Sequence, residues 1–217
     1  MASNRLVLIT GVNGYIAART VESFLAAGYP VRGTVRKSST AEGLINALQK
    51  YFDRLEIVEV SGITAAGAFD EAIRGVHAVA HIASPIVMDG NDPLSIIDVA
   101  VGSVQRLLET ANREPTVKSF VLMSSIATVR GLPDLDQERT YTEADWNTYA
   151  EATVAAQGKS ASEFTIYEAS KTAAERALWK YRDEQKPRFS VTSINPRCVL
   201  VFPALRARAA SHHHPSI

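Results

Sequence analysis

The chain has 217 residues and a single cysteine, Cys198. No disulfide can form within it, which excludes a disulfide-stapled secreted scaffold and points to a reducing, intracellular compartment. An excess of one charge is missing too. The 23 basic and 23 acidic residues cancel, so there is no global electrostatic case for a nucleic acid or an anionic membrane as partner. No uninterrupted apolar run reaches membrane-spanning length. Met1 to Arg5 lead straight into the first apolar run, leaving no room for a secretory signal, and the expected location is cytoplasmic. No internal repeat, low-complexity tract or composition break marks a second domain. What remains is an ordinary globular composition, 46% hydrophobic and 21% charged, in a chain long enough to bury a substantial core.

Apolar runs alternate with helical patterns along the chain. The runs predict strands at about 5–10, 31–36, 55–60, 76–82, 118–124 and 189–195. Helical spacing predicts helices at roughly 14–28, 41–52, 67–74, 93–113 and 161–185. Gly28 suits the end of the first helix, and Asp92-Pro93 the start of the fourth. Such alternation implies βαβ units, right-handed crossovers and an α/β fold: a doubly wound parallel sheet of about six strands in the order 3-2-1-4-5-6. Residues 126–160 fit no regular pattern and read as a long connection, usually functional or mobile at that length. The end of the chain, residues 204–217, reads as an unstructured tail. Its His212, His213 and His214 lack a fourth ligand, and no metal site is expected.

The first strand runs into Thr10-Gly11-Val12-Asn13-Gly14-Tyr15-Ile16-Ala17 and then a helix. A strand, a glycine-rich turn and a helix make a phosphate cradle. Gly11 permits the tight turn, Gly14 lets a pyrophosphate approach the helix N-terminus, and the small Ala17 lets the helix pack on the strand. At the end of the second strand, where NAD sites carry an acid for the ribose hydroxyls, the sequence has no carboxylate. It reads Val35-Arg36-Lys37, with Arg32 nearby. A guanidinium can grip a 2′-phosphate in a bidentate fashion and Lys37 adds a point charge, which favours NADP; a solvated strand end is the plainer reading of the same residues.

Two further pieces carry chemistry. Tyr167 and Lys171 are four apart at the start of a predicted helix, so both project from one face. A phenol is a poor acid–base group at neutral pH, and a neighbouring ammonium stabilises the phenolate. Taken alone, the pair is also what a surface lysine beside a half-buried tyrosine looks like. The fifth strand ends Met123-Ser124-Ser125, at the edge of the sheet where ligands bind. A serine there can donate to a substrate carbonyl or simply cap the strand.

Together these motifs resemble the extended short-chain dehydrogenase/reductases, and within them the dihydroflavonol-reductase-like branch, which includes fungal NADPH-dependent aldehyde and ketone reductases. The resemblance covers about residues 5–203 and implies a Rossmann-type domain over residues 1–203. Thr10–Ala17 matches T-G-x-x-G-x-x-A, and Tyr167–Lys171 matches Y-x-x-x-K. His81-Ile82-Ala83-Ser84-Pro85 resembles the end of the fourth strand, whose backbone lies along the cofactor. Tyr141 to Trp146 resembles a branch-specific segment, and Asn195-Pro196 the turn beside the nicotinamide. The resemblance implies cofactor contacts from Gly11, Asn13, Gly14, Tyr15, Ile16, Arg36, Lys37, Ala83, Tyr167, Lys171, Asn195 and Pro196. It implies a catalytic trio in which Tyr167 protonates the carbonyl oxygen, Lys171 tunes it and binds ribose, and Ser125 orients the carbonyl. NADP(H) is the implied cofactor, a small aldehyde or ketone the substrate, and a homodimer through helices 93–113 and 161–185 the assembly. Neither nucleic acid nor membrane is expected as a partner.

The sequence departs from that pattern in places. An aspartate expected near the adenine is Gly62, and an asparagine expected in the fourth helix is Val101. The glycine–proline turn after Asn195-Pro196 is replaced by Arg197 to Pro203. The family's C-terminal substrate lobe has no counterpart in the sequence, and residues 204–217 look out of frame or intron-derived. A second reading therefore stands beside the reductase: an impaired nucleotide-binding protein, either a redox sensor or an incomplete gene product.

Overall fold

The computed structural model describes residues 5–85, 92, 94–131, 138, 140–197 and 199. Cys198, the three histidines and the tail at 204–217 lie outside them. Six strands form one parallel sheet: β1 (Val7–Thr10), β2 (Val31–Val35), β3 (Leu55–Glu59), β4 (Ala78–His81), β5 (Ser119–Met123) and β6 (Ser190–Ile194). Their order is β3-β2-β1-β4-β5-β6, as expected, with Ile9 opposite both Gly33 of β2 and Ala80 of β4. Five α-helices accompany them: α1 (Tyr15–Ala26), α2 (Glu42–Ala47), α3 (Ser95–Arg113), α4 (Thr148–Gln157) and α5 (Glu163–Gln185).

Every residue of β1 is buried, because successive side chains point to opposite, covered faces. Val7 and Ile9 join Val21 and Leu25 of α1, Val31 and Val35 of β2, and Leu44 and Leu48 in one core. Leu8 joins Val79 of β4, Phe120 and Leu122 of β5, Leu107 and Leu108 of α3 and Leu178 of α5 in the other.

Two helix expectations need correction. The segment 41–52 divides into two 3-10 turns, Ser38–Ala41 and Gln49–Arg54, around the short α2. Beyond Leu48 only Tyr51 still packs against the core and no residue is fully buried, while Phe52 stands exposed. Residues 67–74 are a run of turns. Phe69, Ala72 and Ile73 still reach the core, but the backbone closes three-residue turns, Asp70 N to Gly67 O and Arg74 N to Glu71 O, and the Ala72 and Arg74 carbonyls accept from Arg32, which also bonds Glu56 Oε2 at 2.8 Å. Arg32 is thus committed to structure and does not line the cleft described below.

The expected long connection contains α4. That helix buries only Ala150, so it carries no apolar stripe for a periodicity argument to find. It is held instead by polar contacts. Asn147 Oδ1 accepts from Ala150 N, while Asn147 Nδ2 donates to Ala127 O at 2.9 Å. Glu151 accepts both Nε and Nη2 of Arg176 on α5, and that guanidinium lies 4.3 Å over the Trp146 ring. No helix among the described residues is long and apolar enough to cross a membrane.

Candidate active site

A cleft of about 1010 Å³ opens at the carboxyl ends of the strands, where a parallel sheet with this strand order binds ligands. Its floor is the turn between β1 and α1. Gly11 has φ +68°, and a Cβ on it would stand 3.1 Å from Ala83 Cα and Cβ, so the position excludes side chains on two counts. Gly14 donates to Gly11 O at 2.8 Å and begins α1 with no side-chain cap and no acid in the first turn. The N-terminal amides of α1 are therefore left to an anion.

The turn is tied to β4 by a buried chain of hydrogen bonds. Thr10 Oγ1 accepts from the amides of Ile82 and Ala83, both at 3.0 Å. Its own hydrogen then goes to His81 Nδ1 at 2.9 Å. That assigns the imidazole proton to Nε2, which donates to Ser103 Oγ at 3.3 Å, and Ser103 in turn donates to Ala100 O. His81 is fully buried; desolvation, with the Lys171 charge adding to it, pushes its pKa down to about 3, so it is neutral. Thr10, His81 and Ser103 fix where Ala83 stands against Gly11. The sequence reading passed over this role, although a threonine directly before a glycine turn was its signal.

Arg36 and Lys37 line the far end of the cleft with Thr34, Thr40 and Gly62, and both cations are exposed. Beside them Glu59 Oε2 accepts from Ser38 N and Ser38 Oγ. These bonds, backbone first, hold its carboxyl below its ordinary value, and they anchor the turn that follows the two cations. A Cβ on Gly62 would meet nothing closer than Ala65 Cβ at 3.8 Å, so the space of the expected aspartate is still there.

At the other end stand Ser125, Tyr167 and Lys171. Ser162 caps α5, its Oγ accepting from Thr165 N, and this sets the helix so that its first turns meet the strand ends. Ser125 Oγ accepts from Ala127 N at 3.2 Å, which leaves its hydrogen to donate into the cleft. The two readings of that serine, cap and donor, are therefore compatible. Tyr167 is half-buried, with the Lys171 ammonium 6.0 Å from its ring centroid. Lys171 is 9% exposed. Burial pushes its pKa down to about 8 against the opposing pull of Glu175.

The expected cofactor contacts at Gly11, Asn13, Gly14, Tyr15, Ile16, Arg36, Lys37, Ala83, Tyr167, Lys171 and Pro196 all line this one cleft. Asn195 does not. Its Nδ2 is shared among Glu175 Oε2, Thr128 Oγ1 and Ser125 O, at 2.7, 2.7 and 3.2 Å, which makes it a brace behind the wall. Arg197 and Val199 also line the cleft, and Val199 O accepts from Tyr15 Oη. Neither was among the expected contacts.

Residues 7–202 match the NAD dependent epimerase/dehydratase family. The chain belongs to that family. Among its curated relatives, aldehyde reductase 2 of Sporidiobolus salmonicolor is 38% identical over 195 residues, covering 88% of this chain and 56% of the relative. Ketoreductase sphI of Aspergillus fumigatus is 33% identical over 198 residues, covering 89% of this chain and 59% of the relative. Among solved structures, yeast methylglyoxal/isovaleraldehyde reductase Gre2 complexed with NADPH superposes with a TM-score of 0.79 at 29% identity, covering 88% of this chain and 57% of that one. The epimerase/dehydratase-family chain thus spans less than two thirds of the length of these relatives.

Proposed function

We propose that this chain is the cofactor-binding and proton-delivering part of an NADPH-dependent carbonyl reductase acting on a small aldehyde or ketone. One observation carries the reading: the glycine turn, the Arg36–Lys37 pair and the Ser125–Tyr167–Lys171 group line a single continuous cleft. The names of the relatives, aldehyde reductase, ketoreductase and an NADPH-complexed aldehyde reductase, support it.

The residues present fit the cofactor. Open amides at the start of α1 suit a pyrophosphate. Two exposed cations with no carboxylate between them suit a 2′-phosphate. When bound, NADPH supplies the hydride. Everything else falls to this chain. Ser125 Oγ donates to the substrate carbonyl oxygen and holds it near the phenol. Tyr167 delivers the proton to that oxygen as charge develops. The Lys171 ammonium stabilises the phenolate left behind and is placed to hold a ribose hydroxyl. A homodimer through α3 and α5, which pack side by side, belongs to the same proposal; light scattering on the purified protein tests it.

NADPH fluorescence is followed on titration with the protein, then NADPH oxidation with a panel of aldehydes and ketones. Saturable binding followed by oxidation is expected, with Tyr167→Phe keeping the binding and losing at least about 100-fold in turnover. Binding without oxidation would replace the reductase with a nucleotide-binding protein. Full activity in Tyr167→Phe would remove the assigned proton donor.

A further inference from the structure

Glu175, one turn beyond Lys171 on α5, is a carboxylate only 6% exposed in the wall of a sheet-and-helix core. Its partners come from three elements. Oε2 accepts from Ser124 Oγ, just past β5, at 2.6 Å and from Asn195 Nδ2, just past β6, at 2.7 Å. Oε1 accepts from Trp179 Nε1 on its own helix at 3.2 Å. Ser124 and Asn195 are not bystanders. Ser124 immediately precedes Ser125, and Asn195 also donates to Ser125 O. The strand ends are further zipped by Ser124 N to Ile194 O and Ile126 N to Pro196 O.

The charge matters as well as the geometry. The groups around Lys171 are Tyr167 and Glu175 on α5, His81 on β4, Ser103 on α3, and Ser124 and the Met123 carbonyl at the end of β5. His81 is neutral, and the Met123 carbonyl is a distant acceptor at 3.5 Å. Among these groups Glu175 alone is negative.

Resting on the reductase reading above, we propose that Glu175 is a positioning residue for the reaction: its buried carboxylate draws the ends of β5 and β6 onto α5, setting Ser125, and supplies the negative charge that keeps the Lys171 ammonium protonated near Tyr167. A glutamine in its place keeps the shape and some hydrogen bonds but removes the charge. A carboxylate one helical turn from an ammonium favours the charged partner, by about one pH unit where the two lie within about 4–6 Å.

The test is carried out on the full chain made with 13C-labelled lysine. The Lys171 Cε signal, assigned through Lys171→Arg, is titrated from pH 6 to 11 in wild type, Glu175→Gln and Glu175→Asp. NADPH affinity is measured on each. The midpoint for Lys171 is expected to fall by about one pH unit in Glu175→Gln and to stay within about 0.3 of wild type in Glu175→Asp. NADPH affinity is expected to change less than threefold in both. If wild type oxidises NADPH, the alkaline limb of its pH–rate profile moves with the same midpoint in Glu175→Gln, and kcat falls while KM for NADPH holds. An unchanged Lys171 midpoint in Glu175→Gln overturns the inference. If Glu175→Gln does not fold, Glu175→Asp decides: a Lys171 midpoint lowered as far as one unit despite the retained carboxylate overturns it equally. Failure of wild type to bind NADPH would instead bring down the reductase reading, and the lysine titration would still report on the charge pairing.

Discussion

Gly33 lies in the middle of β2, and its missing side chain makes room for the glycine turn. A Cβ placed there would stand 2.7 and 2.8 Å from the two methyls of Val12 and 3.2 Å from Ile57 Cδ1. Carbon atoms pack best at about 3.5–4.0 Å, so the clash is of the order of 1 Å on two atoms at once. Val12 cannot turn aside, because it is fully buried and its amide donates to Thr34 O at 3.0 Å. Gly33→Ala should therefore cost about 1–3 kcal/mol in overpacking. The loss of glycine's extra freedom in the unfolded chain returns about 0.5–1 kcal/mol, leaving a net loss of about 0.5–2 kcal/mol. For a domain of this size that is roughly 1–8 °C in Tm. Val12→Ala alone removes two buried methyls and should cost about 1–3 kcal/mol. In the double variant the clash is gone, so Gly33→Ala should become neutral or slightly stabilising. The coupling is then about 1–3 kcal/mol, readable from urea denaturation of the four proteins at equal slopes. NADPH affinity should drop in Gly33→Ala and recover in the double variant, since Val12 sits between Gly11 and Asn13 of the cradle. Additivity within about 0.5 kcal/mol, or a Gly33→Ala protein as stable as wild type, would refute the packing argument.

Other expectations follow from single residues. Arg36→Ala should weaken NADPH binding about 10- to 100-fold, the worth of a charge-assisted contact, while NADH binding barely changes; equal losses for both would detach Arg36 from the 2′-phosphate. Gly62→Asp places a carboxylate in open space beside the cleft and should tighten cofactor binding several-fold in a fluorescence titration. Glu168 is 2% exposed, its Oε2 has no hydrogen-bond partner among the described residues, and desolvation raises its pKa to about 7. Folded protein therefore keeps a proton that unfolded protein loses from pH 4.5, so stability from this group falls as pH rises through 4.5 to 7. That displacement corresponds to at most about 3 kcal/mol, which structural relaxation and water entry reduce to the order of 1–2. Glu168→Gln should gain stability relative to wild type between pH 5 and pH 8 in thermal melts. His81 works in the opposite sense: the unfolded chain takes a proton near pH 6.5 that the folded one refuses until about 3, so its contribution is lost as pH falls across that window. A wild-type stability that rises steadily from pH 5 to 8, with no difference in Glu168→Gln, would contradict the assignment of Glu168.

The sheet was legible because buried parallel strands are short apolar runs, and all six lie within the predicted spans. The helices α1, α3 and α5 were legible because each buries one face. Where an element is held by something other than an apolar face, the sequence was silent or misleading. The helix α4 hangs on Asn147, Arg176 and Trp146. Residues 67–74 have helical apolar spacing, yet their backbone closes mainly three-residue turns between the left-handed Gly67 and Gly75. The site divides along the same line. Residues that face the cleft, such as Gly11, Arg36, Ser125, Tyr167 and Lys171, have side chains whose chemistry advertises a ligand. Those that position them do not. Asn195 looked like a cofactor contact, and its side-chain amide is spent on a brace; His81 stood out only as part of the fourth-strand ending, and Glu175 not at all. The usable signal for Glu175 was a charge at four-residue spacing from Lys171 on the buried face of α5, beside Ala174 and Leu178.

The two buried glutamates of α5 show why residue type alone could not decide. Glu168 and Glu175 are seven residues apart, two helical turns, and nearly equally hidden from solvent. Glu175 meets a serine hydroxyl, an asparagine amide and an indole N–H, with an ammonium one turn away. Glu168 meets a wall that leaves one oxygen without a donor. A carboxylate surrounded by donors can be a fixed charge that orders the strand ends, whereas one that lacks them sheds its charge near neutral pH. Exchanging the two environments is therefore a sharper probe than deleting either acid. Ser124→Ala removes one donor from Glu175 and should move its partners Asn195 and Ser125, lowering turnover more than NADPH affinity. The same serine deletion should leave the pH dependence of stability assigned to Glu168 untouched, because no hydrogen bond joins the two glutamates. A change in that pH dependence on Ser124→Ala would mean that the two acids are coupled through α5 and that their roles cannot be assigned separately.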